Sequence, residues 1–184
     1  THLCLEALLA LRSSNRLVPE QIEKVECGLH QGDYRVLLRP DGIRTSEQAR
    51  FSLEYAISVA IRDGEIGLRH FDEAVIQSAE LQRLMTKVHV FVPPELRELE
   101  SKARRFGLVT ITLSDGTVIT HRATQIRGHP PLFLTDEEVE KKFFGCADMI
   151  IGRPRAQELL NTLRGIESVP TVREIVSLLC APVS

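Results

Sequence analysis

The chain has 184 residues, of which 43% are hydrophobic and 26% charged, and its formal net charge is -2. This composition is typical of a soluble globular protein with one substantial core or two small ones. It excludes a membrane helix, because no apolar run approaches the required length of about 18 residues. The balance of 23 basic and 25 acidic side chains gives no overall charge signature for nucleic acid.

The cysteines and histidines do not form a metal-binding pattern. No CxxC pair occurs, and no histidine follows another histidine or a cysteine at zinc-ligand spacing. We interpret the six histidines as surface or turn residues. Cys4 and Cys180 fall on apolar faces of predicted helices, and Cys27 falls in a predicted strand. These positions favour buried, reduced thiols and a cytosolic type of compartment.

The first third of the chain predicts a helix followed by strands. Leucines at helical spacing predict a helix over residues 3–14. Alternating residues around Val25 predict a strand, and the turn signal at residues 31–33 is followed by a second predicted strand over 34–38.

The most regular helix signal comes next. Its N-cap is Thr45 or Ser46, its apolar face continues to Arg62, and Asp63 with Gly64 closes it. Two short helices, 70–74 and 78–85, and a strand over 88–92 complete this region. The segment 97–105 carries charges of both signs, which is typical of a solvated stretch.

A hairpin and a helical tail end the chain. Two β-rich runs, 108–113 and 117–123, flank the turn pair Asp115–Gly116. From the N-cap Thr135 onward the pattern is helical, in three pieces. Strands in the middle and helices at both ends predict an α+β fold with a small, mostly antiparallel sheet and packed helices.

Residue chemistry alone assigns no role to this domain. No Walker loop, GxGxxG, HExxH or GxSxG motif occurs. On the same basis His2 is an incidental histidine and Tyr55 a packing residue on an apolar helix face. Arg50 is a solvent-facing residue, and Ser52 bonds back to a helix carbonyl.

Four blocks, taken in chain order, add a family resemblance. The chain opens on His2 and a leucine-rich helix, residues 49–64 contain the run Arg-Phe-Ser-Leu-Glu-Tyr, Asp115–Gly116 lies in a hairpin, and residues 128–143 lead into a helix after Gly-His-Pro-Pro-Leu. Together they resemble the C-terminal part of the MmgE/PrpD family, which includes 2-methylcitrate dehydratases, cis-aconitate decarboxylases and iminodisuccinate epimerases.

The resemblance implies a domain organisation. Residues 1–132 would form a small α+β domain that acts as a lid. Residues 133–184 would be helices that pack on a large N-terminal helical domain of the same protein, and the resemblance implies that this domain is not part of the chain. Family members are usually dimers, so a homodimer is expected. The expected compartment is the cytoplasm, or the mitochondrion in a eukaryote.

The resemblance also implies a chemistry. Family enzymes act on small di- or tricarboxylates by moving protons next to a carboxylate, without metal or organic cofactor. By motif position, His2 and Tyr55 would be catalytic residues, and Arg50 and Ser52 would bind substrate. Neither nucleic acid nor membrane is an expected partner.

Two departures from the family pattern qualify these expectations. Glu54 stands where many members have proline, which weakens assignment to the dehydratase branch. The family's remaining site residues belong to the N-terminal domain, so we expect this chain alone to be inactive even if its parent is a lyase. The alternative function is a stand-alone α+β binding module without catalysis.

Overall fold

The computed structural model describes residues 1–37, 42–97 and 105–180. The chain divides into two compact units, the first comprising residues 1–133 and the second beginning at Leu134. Leu38 of the predicted second strand and most of the mixed-charge segment lie outside the described residues. Within the described ranges, no helix combines the length and the apolar character needed to span a bilayer.

The first unit is built on a four-stranded sheet with the order β2-β1-β3-β4. Its strands are β1 (Ile22–Gly28), β2 (Val88–Phe91), β3 (Gly107–Leu113) and β4 (Val118–Ala123). The β1–β2 pair is parallel, and the β1–β3 and β3–β4 pairs are antiparallel. The predicted hairpin is confirmed as β3–β4, and the predicted α+β class with a mostly antiparallel sheet is confirmed with it.

Helix α1 (His2–Ser14) covers one face of this sheet and forms its core. Ala7 and Leu8 of α1 are fully buried and pack with Val25 of β1 and with Val109 and Ile111 of β3. The alternation of buried and more exposed residues along β3 follows the period of two that a sheet with one covered face requires. Helix α1 confirms the helix that the leucine spacing predicts over residues 3–14.

The segment after β1 is a helix, so the predicted second strand over 34–38 is wrong for its described part. Helix α2 spans Gln31–Val36, and the ring of His30 caps it by accepting the Gly32 N–H at Nδ1, 2.9 Å away. Histidine is not among the usual N-cap residues, so the pattern at residues 31–33 predicts a turn and not the start of a helix.

The long predicted helix is divided in two. Thr45 is the N-cap of α3 (Ser46–Arg50) in a capping box with Gln48, as predicted. The chain then breaks, and α4 runs from Leu53 to Asp63, with Gly64 as a left-handed C-cap. Two further short helices, α5 (Glu73–Ile76) and α6 (Ala79–Met85), follow before β2.

The second unit contains helices α7 (Asp136–Ile151), α8 (Arg153–Arg164) and α9 (Val172–Leu179). Thr135 forms a capping box with Glu138 at the start of α7. The unit's own small core consists of Phe144, Ile151, Ala156, Leu159 and Leu160. Cys180 is exposed, which corrects its prediction as a buried thiol, whereas Cys4 and Cys27 are buried as predicted.

Candidate active site

A cleft of about 370 Å³ opens beside the first turn of α1. Its polar side chains come from four separate places in the chain: His2 in α1, Asp33 in α2, Arg105 just before β3, and His129 after β4. Apolar residues line the remainder: Leu3, Cys4, Leu29, Phe106 and Ile126. The cleft therefore combines titratable groups and a fixed cation with an apolar wall, which is the usual make-up of a small-molecule site.

Gly107 explains why these groups converge. A Cβ built on this glycine would lie 2.3 Å from the carbonyl carbon of Leu3 and 2.5 Å from the backbone nitrogen of Cys4. Only a residue without a side chain lets the start of β3 approach the first turn of α1 this closely. Because His2 precedes that contact on one segment and Arg105 precedes it on the other, the contact holds both at the mouth of the cleft.

A hydrogen bond between a side chain of α1 and the backbone of Arg127 connects α1 to the loop that carries His129. The carboxylate of Glu6 accepts the Arg127 N–H at 3.0 Å, and this contact joins residues 121 positions apart. The loop then closes on itself, since the Gly128 N–H donates to the Leu132 carbonyl at 2.8 Å. His129 lies inside the loop that the Gly128–Leu132 bond closes and is exposed to solvent.

Cys4 is the one thiol in this cleft, and it is not poised as a nucleophile. Burial raises its pKa to about 11, and the thiol donates to the Gly28 carbonyl at 3.4 Å. A thiol with so high a pKa carries almost no thiolate near neutral pH. His2 is exposed, and a histidine side chain is the type of group that most often acts as a general acid or base.

Tyr55 lies elsewhere, in the packing between α4 and its neighbours. The side chain is 0% exposed and packs with Val59, Ile76, Leu81 and other apolar residues of a second cluster. Its hydroxyl donates to the backbone carbonyl of His70. Burial raises the pKa of Tyr55 to about 12. In this arrangement the hydroxyl is committed to the protein itself.

Ser52 and Arg50 flank the break between α3 and α4. Ser52 is buried, and its Oγ caps α4 by accepting the Tyr55 N–H at 3.1 Å. The same hydroxyl donates to the Glu54 carboxylate at 3.1 Å. Ser52 thus bonds forward as an N-cap rather than back to a helix carbonyl. Arg50 is the exposed last residue of α3.

A polar network surrounds the carbonyl that Tyr55 contacts. The ring of His70 is buried, with Nε2 at 3.0 Å from the Asp63 carboxylate and Nδ1 accepting the Gly67 N–H at 2.8 Å. Arg62 binds the same carboxylate through two nitrogens, at 2.9 and 2.7 Å. These hydrogen bonds and the Arg62 charge hold the pKa of Asp63 below its ordinary value. His30 and His70 are both buried, which corrects the surface alternative in their interpretation as surface or turn residues.

The structure therefore brings two of the predicted site residues together and leaves the others apart. Ser52 and Tyr55 share a hydrogen bond, whereas His2 lines the cleft with residues that the sequence did not single out as site residues. Arg105 was part of a segment interpreted as solvated, and His129 was interpreted as a surface or turn residue. The signals available for them were the Phe106–Gly107 pair before a strand and the conspicuous Gly-His-Pro-Pro sequence.

Comparison with known proteins identifies the family of this chain. The model of the MmgE/PrpD C-terminal domain matches residues 1–167, and the chain belongs to the MmgE/PrpD family. It is similar to cis-aconitate decarboxylase of Homo sapiens, with 26% identity over 138 residues that cover 75% of this chain. It is also similar to cis-aconitate decarboxylase of Mus musculus, with 25% identity over 189 aligned positions and 99% of this chain covered.

These alignments cover only part of the relatives. The matched region is 28% of the human protein and 38% of the mouse protein. The chain thus spans between about a quarter and two-fifths of the length of these curated relatives.

Proposed function

We propose that this chain is the C-terminal part of a lyase or isomerase that acts on a small di- or tricarboxylate. The observation that carries the proposal is the position of His2, a titratable side chain at the mouth of a cleft that also contains a cation. Membership in the MmgE/PrpD family supports it. Since both relatives named above are cis-aconitate decarboxylases, cis-aconitate is the first substrate to test.

The chemistry assigned to His2 is proton transfer next to a carboxylate. In a decarboxylation, the carbon–carbon bond to one carboxylate breaks, carbon dioxide leaves, and the electron pair left on the substrate takes up one proton. Protonated His2 would supply that proton and recover it from water afterwards. In a dehydration or an epimerisation, neutral His2 would instead remove a proton beside a carboxylate.

The proposal assigns the remaining active-site groups to an N-terminal helical domain of the same protein. The small unit of residues 1–132 would close over that domain as a lid, the helices from residue 133 onward would pack against it, and the assembled protein would be a homodimer. No metal or organic cofactor enters the proposed reaction. The 184-residue chain alone is expected to bind carboxylates weakly and to turn none of them over.

The proposal retains Tyr55 as a catalytic residue and Arg50 and Ser52 as substrate-binding residues. Ser52 and Tyr55 would reach a substrate only after the hydrogen bonds to the Tyr55 N–H and the His70 carbonyl are released. Arg50 is exposed and needs no such change. His2 is therefore the residue on which the activity test is designed.

The test uses the gene product that contains this chain together with any preceding residues. It is incubated with cis-aconitate, 2-methylcitrate and related di- and tricarboxylates, and products are identified by mass spectrometry. His2→Gln should lower kcat by about 10²- to 10⁴-fold, the usual contribution of a general acid or base. The melting temperature should not change, because His2 is exposed. His121→Gln, an exposed histidine of β4, is the matched control and should leave kcat unchanged.

Two results would contradict the proposal. One is a His2→Gln protein with normal kcat. The other is a reading frame without a preceding helical domain whose product turns over no carboxylate, which would favour a stand-alone binding module.

A further inference from the structure

Arg105 is the fixed cation of the cleft, and its hydrogen-bonding groups are only partly used. One guanidinium nitrogen, Nη1, lies 3.3 Å from the Asp33 carboxylate. Charge-assisted N–H to carboxylate bonds are usually shorter, about 2.7 to 2.9 Å. The Nε atom is buried and has no hydrogen-bond partner among the described residues. An arginine in this state retains an unused pair of N–H groups along the edge formed by Nε and Nη2.

That edge has the geometry of a carboxylate-binding fork. Arginine presents two parallel N–H groups that match the two oxygens of a carboxylate, and the match gives both affinity and orientation. The side chain of Arg105 is 21% exposed, but Nε is buried, so a ligand carboxylate reaches the Nε side of the fork only after the residues around it move slightly. Burying an N–H without a partner is costly, and a ligand carboxylate would relieve that cost.

The backbone beside Arg105 is fixed by its neighbours. Phe106 is buried, with the Arg122 guanidinium 3.6 Å from its ring centre. Gly107 is locked against Leu3 and Cys4 of α1. A cation on such a support can hold a ligand in a defined orientation relative to His2, at the start of the same helix.

We propose that Arg105 binds a second carboxylate of the substrate, one that does not react, while His2 serves the reacting end. The inference rests on the proposed function, and it assigns to Arg105 a preference for ligands with two or three carboxylates over those with one. Asp33 keeps the guanidinium oriented when the cleft is empty and competes with the incoming carboxylate for it.

If the proposal is right, substitutions of Arg105 and Asp33 should differ in their effect on ligand binding. If Arg105 served only as a structural partner of Asp33, removing either residue would weaken the same ion pair and have the same effect. If Arg105 binds the ligand, Arg105→Gln should weaken binding, whereas Asp33→Asn should leave binding equal or make it tighter. Arg105→Lys, which retains the charge but not the fork, should recover only part of the affinity.

The test is an NMR titration of the 184-residue chain with tricarballylate, glutarate and butyrate, which carry three, two and one carboxylates. We expect Arg105→Gln to weaken tricarballylate binding by about 10- to 100-fold, the range for losing a charged bidentate contact. Arg105→Gln should bind glutarate and butyrate with nearly equal affinity, because the guanidinium that would bind the second carboxylate is absent. Arg16→Gln, an exposed arginine of the same unit, is the control and should bind as the unsubstituted chain does.

The outcomes separate this inference from the proposed function. Unchanged binding in Arg105→Gln, or equal losses in Arg105→Gln and Asp33→Asn, would overturn the role of Arg105 even if the gene product proves to be a lyase. Absence of tricarballylate binding by the unsubstituted chain would overturn it as well. Arg105-dependent binding without turnover of any carboxylate by the gene product would retain the binding site and reject the lyase.

Discussion

The cleft at His2 and the cluster at Tyr55 use polar side chains in opposite ways. In the cleft, His2 is exposed, His129 is exposed, and one N–H group of Arg105 has no partner among the described residues. In the cluster, the Tyr55 hydroxyl donates to a carbonyl, and the His70 ring has a contact at each nitrogen. Satisfied polar groups stabilise a fold, whereas exposed side chains and an N–H group without a partner retain hydrogen-bonding capacity for a ligand. The comparison favours the cleft as the place where chemistry occurs.

The largest expected effect tests what holds the cleft together. Gly107→Ala places a methyl group against backbone atoms of Leu3 and Cys4, which cannot move aside as a flexible side chain would. We expect a loss of about 2 to 4 kcal/mol in the free energy of unfolding of the first unit, and loss of carboxylate binding with it. Urea unfolding and hydrogen exchange of peptides from α1 and β3 would measure both.

Gly145→Ala is the matched control for this substitution. Gly145 lies within α7, and nothing lies within 4 Å of a Cβ built on it. Alanine there should stabilise the helix by up to about 1 kcal/mol. A Gly107→Ala chain as stable as the unsubstituted one would show that the close approach of β3 to α1 does not determine the cleft.

A smaller effect is expected at Tyr55. Tyr55→Phe retains the buried ring but leaves the His70 carbonyl without its partner, which should cost about 1 to 2 kcal/mol of stability. Ser58→Ala in the same helix is the control: Ser58 donates to the Glu54 carbonyl within α4, and its loss should change stability by less than about 0.5 kcal/mol.

The same variant decides between the two roles of Tyr55. In the gene product that contains this chain, a purely structural Tyr55 predicts that kcat of Tyr55→Phe stays near normal at temperatures where the variant is folded. A fall in kcat of tenfold or more in the fully folded variant would contradict the structural role and support the catalytic one.

Local signals predicted the parts of this fold that local interactions determine. The β3–β4 hairpin follows from alternating β-branched residues around an Asp–Gly turn, and the Thr135 capping box follows from its own tetrapeptide. The break at Ser52 was missed because the apolar helical pattern continues across it, and only the cap to the Tyr55 N–H shows where α4 begins.

The candidate site was only partly predictable for a related reason. His2 was identified through a family resemblance, but its neighbours Arg105 and His129 reach it through contacts between distant parts of the chain. Neither local periodicity nor local charge records such contacts. Residue type also did not reveal that Tyr55 uses its hydroxyl internally, because a tyrosine on an apolar helix face has the same pattern in either role.

The smallest expected effect concerns Asp63, and it sharpens the description of the cluster as a satisfied network. The pKa of Asp63 is lower in the folded chain than in the unfolded one, first because of the hydrogen bonds from Arg62 and then because of the Arg62 charge and the hydrogen bond with His70. The stability it contributes is therefore present above the ordinary carboxylate pKa of about 4 and is lost as the pH falls through the lower folded value. Asp63→Asn should lower the free energy of unfolding by up to about 1 kcal/mol at neutral pH and flatten the acid limb of the stability curve below about pH 4.

Glu23→Gln, an exposed carboxylate with the same change of charge, should leave that limb unaltered. Urea unfolding from pH 7 to pH 3 would measure these slopes, and an unchanged acid limb in Asp63→Asn would mean that the network around His70 does not depend on this carboxylate.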